Sequence, residues 1–188
     1  SLFFKLYDEA NIPTFYSVVE RFFCVILIIV IALLERKSSR YLYWLGLAGI
    51  FSFLLIDEFS SIHEVSEQLF VIFNIKILFC SAAWVLIYGV LLVLLSFLYL
   101  RFMFNLPGKT RYLFVLSFII FMLGAAITEL LGMSHVERYG MDKYFYLYFV
   151  TVEETLEMMG LLVFIYALAS YLVNELGVSQ IRILPEKI

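Results

Sequence analysis

Apolar residues run in long blocks along this chain. "FFCVILIIVIALL" and "LIYGVLLVLLSFLYL" hold scarcely a charged position and show no alternation. A membrane β-barrel strand would alternate apolar and polar residues with period two, so these blocks read as helices. A helix needs about 20 apolar residues to cross hydrocarbon. Five such segments can be drawn, at residues 14–34, 41–56, 77–100, 112–131 and 144–173. The second, if unbroken, continues to residue 70. Pro13 suits the first turn of the first helix. The fifth segment is long enough to tilt or to begin in the interface. "NLPGKTR" is a turn by its Asn, Pro and Gly. Its "GKT" is not a phosphate loop, because Met103 stands where the first glycine would be. The expected fold is all-α, a single integral membrane bundle of five transmembrane helices.

Composition strengthens this reading. Hydrophobic residues are 64% of the 188, against roughly half in an ordinary soluble domain. Mean hydropathy is +0.99. The first span is expected to stay with the chain: it lacks a basic lead-in, Glu20 and Arg21 interrupt it, and no small-residue cleavage site follows.

Charge orients the bundle. Let the side holding the N-terminus be the near side. Arg36, Lys37, Arg40, Arg101, Lys109, Arg111, Arg182 and Lys187 then fall on the far side. Lys5, Arg21, Lys76, Arg138 and Lys143 fall on the near side. Basic residues in short loops favour the cytoplasm, so the N-terminus is expected outside and the C-terminus in the cytoplasm of a bacterial inner membrane. The acids divide more sharply. Of 16, only Glu35, Glu175 and Glu186 lie on the far side.

Several near-side acids stand inside the spans. Glu20 lies within the first, and Glu153, Glu154 and Glu157 within the fifth. An ionisable group at that depth needs a partner, a proton or water. At about 100° per residue, Glu153, Glu157 and Glu154 sit at about 0°, 40° and 100°, on one helix face. That face must meet cations, share protons or line water. In "LLIDEFSSIHEVSEQ" a continuous helix would place Asp57, Ser60, Ser61, His63, Glu64, Glu67 and Gln68 in one arc of about 160°, with Glu58 outside it. "AAITELLGMSHVERYG" brings Glu129 to the end of the fourth span, with His135 in the loop beyond, beside Glu137 and Arg138.

Carboxylates and two imidazoles on neighbouring helices are the ingredients of a carboxylate-bridged metal site. The candidate ligands are Glu20, Asp57, Glu58, His63, Glu64, Glu129, His135, Glu153, Glu154 and Glu157. Oxygen ligands with some imidazole suit a divalent metal such as iron, manganese or zinc, with calcium less well matched. "HEVSE" lacks the second His of the zinc protease motif. Cys24 and Cys80 read as buried small hydrophobes. Tyr144, Phe145, Tyr146, Tyr148 and Phe149 read as an interfacial belt.

"DEFSSIHE" (residues 57–64), with "EETLEMMG" later, resembles a pattern of uncharacterised bacterial multi-pass membrane proteins, Asp-Glu, four residues, His-Glu. The resemblance implies no activity. "EETLEM" begins like the motif of the CAAX-type intramembrane proteases, but Met158 stands where Arg belongs. Ceramidase and adiponectin-receptor-like hydrolases hold zinc with three histidines; two histidines and five spans place this chain outside that group.

Three functions remain open from the sequence. The first is a membrane-embedded metal enzyme, an oxidoreductase or hydrolase, acting on a lipid or quinone at the outer leaflet. The second is a non-catalytic subunit with membrane protein partners. The third is an ion- or proton-conducting component. No nucleic-acid partner is expected.

Overall fold

The computed structural model describes residues 12–60, 62, 83–140 and 142–178, and residues 12–14, 83–86, 129, 133, 137, 143 and 146 by their backbone alone. Every element among the described residues is a helix: α1 (Ile12–Leu34), α2 (Tyr41–Ser60), α3 (Ala83–Phe104), α4 (Gly108–Met122), a π-helical turn (Leu123–Thr128), α5 (Glu129–Tyr139) and α6 (Lys143–Asn174). Five stretches are long and apolar enough to cross a membrane: Phe15–Leu34, Tyr41–Ser60, Ile87–Phe104, Gly108–Val136 and Leu147–Asn174. The fourth joins α4, the π turn and α5 into one broken rod. The helical extension expected beyond α2, to residue 70, lies outside the described residues apart from Ile62.

The connections follow local chemistry. Between α1 and α2 the chain turns through residues 35–40, with Ser38 N–H donating to the Glu35 carbonyl at 2.8 Å. Between α3 and α4 it turns at residues 105–107, and Pro107 opens α4 in an extended conformation (φ −53°, ψ 143°). Asp142 caps α6 by accepting from the Tyr144 N–H at 2.9 Å.

One boundary differs from expectation. The sequence places the end of the fourth span at Leu131, with His135 in a loop beyond Gly132. Instead α5 runs through Gly132 to Tyr139, and His135 is helical. Gly132 is tolerated there because it packs against Phe149 of α6. The helix stops at Gly140, whose φ of +83° supplies the left-handed end that a side chain resists.

α6 is the organising element. It packs along α1, α4, the π turn and α5, while α1 also packs along α2. On the far side these helices enclose an aromatic core. The Trp44 ring lies 5.0 Å from Phe102 and 5.3 Å from Tyr171, and Phe51 stacks on Phe164 at 4.7 Å. α3 stands apart, meeting α2 through the Tyr99 hydroxyl on the Tyr43 carbonyl, Phe102 on Trp44, and Tyr88 on Asp57. Val90, Phe97 and Leu98 on its surface are more than half exposed. Apolar exposure on this scale would drive association in water; it suits helices that face hydrocarbon. Five such helices make the chain compatible with a multi-pass membrane protein.

Candidate functional site

On α1, Ser17, Glu20, Arg21, Cys24 and Ile28 recur every three or four residues. That spacing turns one stripe inward, and all five are buried, Glu20 at 3% and Arg21 at 4% exposure. A guanidinium carried inside at this depth must find acceptors. Arg21 Nη2 lies 3.0 Å from Glu58 Oε2 of α2 and 3.0 Å from Glu157 Oε2 of α6. The two carboxylate oxygens are therefore within twice that distance of each other, held against their repulsion by one shared nitrogen. Arg21 Nη1 donates to the Ser17 hydroxyl one turn away. The guanidinium carbon stands 5.9 Å from the centre of the Phe121 ring of α4, within cation–π range. Four of the five membrane passes thus meet at one side chain.

The acids outnumber that cation. Glu154, half-buried on the same turn as Glu157, feels the like charges of Glu157 and Glu58. Among the described residues it makes no hydrogen bond or ion pair. Glu20 is buried with both carboxylate oxygens outside hydrogen-bonding geometry; Tyr16, one turn away, and Arg21 are the neighbours whose charge or hydroxyl bears on it. Glu153 is half-buried on the same helix.

Adjacent residues of α2 serve different partners, because about 100° separates them on a helix. Glu58 turns to α1, whereas buried Asp57 turns to α3 and accepts from the Tyr88 hydroxyl at 2.9 Å. Glu58, Glu157 and Glu154 therefore come together. Asp57 belongs to a neighbouring contact. His135 packs its ring on Phe145 at 3.5 Å between centroids. Phe145 and Phe149, expected in an interfacial belt, line the α5–α6 contact through His135 and Gly132; among the described side chains of that belt, Tyr144 and Tyr148 are exposed. His63 and Glu64 lie outside the described residues. Glu129 is placed by its backbone, between the levels at which Gly124 meets the backbone of Glu153 and Glu157 and Gly132 meets Phe149.

Among the described residues, no three His, Cys, Asp or Glu side chains gather as a metal-binding group. The centre of the described cluster is a guanidinium. Arg21, Ser17, Phe121 and Tyr88 are absent from the sequence-derived site. The inward stripe on α1 carried the signal for Arg21, which the charge count treats as one more near-side basic residue.

A family described as "Domain of unknown function (DUF8692)" has a sequence model that matches residues 1–172. The chain belongs to this family. The match spans all the helices that build the Arg21 cluster, so the DUF8692 unit contains the whole described site. It agrees with the sequence resemblance in pointing to an uncharacterised family. Comparison with curated proteins and with solved structures gives no match.

Proposed function

We propose that the Arg21 cluster is a proton-exchanging carboxylate site near the outer face of a bacterial inner-membrane protein, and that the protein works as an ion- or proton-handling component of the membrane. Glu154 carries the proposal. The Arg21 guanidinium is shared by Glu58 and Glu157, and a third carboxylate, Glu154, feels both of their charges. At membrane depth such a group holds a proton or a cation. Exchange of that proton with the outer solution, or with a membrane partner, is the step the arrangement supports. The basic loops at residues 35–40 and 101–111 support an external N-terminus and a cytoplasmic C-terminus.

Infrared spectroscopy of the protein in lipid tests the reading directly. A protonated carboxylic acid band is expected at neutral pH, and Glu154→Gln should remove it. A wild-type spectrum without the band overturns the reading.

A second reading keeps the metal. The backbone of Glu129 lies between the levels at which α5 and the π turn meet Phe149 and Glu153 of α6, and Glu153 shares the helix of Glu154. With His63 and Glu64 they offer oxygen and imidazole ligands for iron, manganese, zinc or calcium, which would supply Lewis-acid or redox chemistry toward a lipid or quinone. Elemental analysis of the purified protein separates the two: stoichiometric metal favours this reading, and its absence favours the proton. A third role, as a subunit beside membrane protein partners, would be recognised by co-purifying chains.

A further inference from the structure

We infer that the π-helical turn is a positioning device, and that Gly124 sets the place of the α6 acids relative to Arg21. The inference rests on the proton-exchange reading of the site.

Gly124 begins the close approach. A Cβ placed there would lie 2.8 Å from the Glu153 carbonyl oxygen, 3.0 Å from the Glu157 amide nitrogen and 3.0 Å from the Leu156 Cβ. Two of these atoms are backbone, so no side-chain rotation relieves the clash. The turn of α6 bearing Glu153, Glu154 and Glu157 would have to move. Gly160 repeats the arrangement one turn along: its Cβ would stand 2.9 Å from both the Phe121 amide nitrogen and Phe121 Cβ. Phe121 is the ring beneath Arg21. The two glycines therefore bear on the α6 turn that carries the acids and on the residue whose ring meets the guanidinium.

The π turn is widened by one residue relative to an α turn, and such turns are frequent at functional sites. Here Gly124, Ala125, Ala126 and Thr128 of the turn are buried. The Thr128 hydroxyl donates to the Gly124 carbonyl. That bond ties the far end of the widened turn to the glycine that meets α6. Ser117 adds a hydrogen bond to the Gly160 carbonyl at 2.9 Å, holding the same pair of helices together.

The test compares infrared spectra of wild type, Gly124→Ala, Thr128→Val and Gly49→Ala in lipid. Gly49 has open space around it, so its variant controls for the gain of a methyl group. The Glu154 carboxylic acid band should shift in Gly124→Ala and stay in place in Gly49→Ala. Thr128→Val keeps the side-chain shape and removes only the hydroxyl, so it stands in if Gly124→Ala does not fold; a shift is expected there too. A band present in wild type and unchanged in Gly124→Ala, or in Thr128→Val where Gly124→Ala does not fold, overturns the positioning role while leaving the site reading intact. A wild type without the band removes the site reading and this inference with it.

Discussion

Two carboxylate–arginine clusters stand at opposite ends of this bundle, and they are built on opposite principles. On the far side, Glu35 accepts from Arg40 Nε at 2.9 Å through one oxygen and from the Tyr171 hydroxyl through the other. One acid meets one base and one hydroxyl, and the charge closes. On the near side, Arg21 is shared by Glu58 and Glu157, with Glu154 and Glu20 close by and neither held by a described hydrogen bond. Glu35, the residue after α1, lies fourteen positions beyond Arg21, about 21 Å along the helix. A closed pair of this kind holds helices together. An excess of acid at membrane depth leaves charge to be made up by something that comes and goes. On the proton-exchange reading proposed above, the far end is structural and the near end functional.

The largest expected effect comes from Arg21→Met. It strips two half-buried carboxylates of their common cation, a change of about 3–5 kcal/mol when a buried pair loses one partner. Most of the folded protein should be lost in detergent, measured by thermal unfolding. Near-normal stability would mean that Arg21 does not hold the near end together. Tyr171→Phe should be milder, about 1–3 kcal/mol, since it leaves one buried Glu35 oxygen unsatisfied. Arg40→Gln should cost less again, about 1 kcal/mol or below, because the Arg40 side chain is 31% exposed and water can replace it. An Arg40 effect as large as that of Arg21 would erase the contrast between the ends.

Glu154→Gln sharpens the comparison from the other side. The sequence puts Glu153, Glu154 and Glu157 on one face without ranking them, but Glu157 is bonded to Arg21. Glu154 faces like charges instead, so its neutral form should be as stable as wild type or slightly more so, with no response to chelator. If chelator destabilises the wild type and the variant no longer responds, a metal is present and the second reading replaces the first. Among the variants that break a contact, the smallest loss is expected for Tyr88→Phe. Loss of its hydrogen bond to Asp57 should amount to about 0.6 kcal/mol, typical of a single polar contact between membrane helices. A much larger loss would make the α2–α3 contact a third principal joint.

Much of this was legible in the residues. Unbroken apolar runs mark the spans, and the sidedness of the acids marks the end where Glu58, Glu154 and Glu157 meet. What stayed hidden was three-dimensional. Glu58 and Asp57 are neighbours in sequence, and only the packing of α1 and α3 on either side of α2 decides which acid meets Arg21. The π turn has no signature in "LGAAIT"; its widening shows only against α6. Gly132 reads as a helix stop because nothing in the sequence announces that Phe149 will pack against it.

α3 supplies no described side chain to the Arg21 cluster, and its lipid-exposed surface makes it look expendable. Its contribution is direction. α2 ends on the near side and α4 begins on the far side, so α3 is the crossing that returns the chain. Deleting it would invert the rest of the chain, delivering the "EETLE" turn to the membrane face opposite Arg21. The helix that touches the site least thereby decides whether the two halves of the site ever share a leaflet.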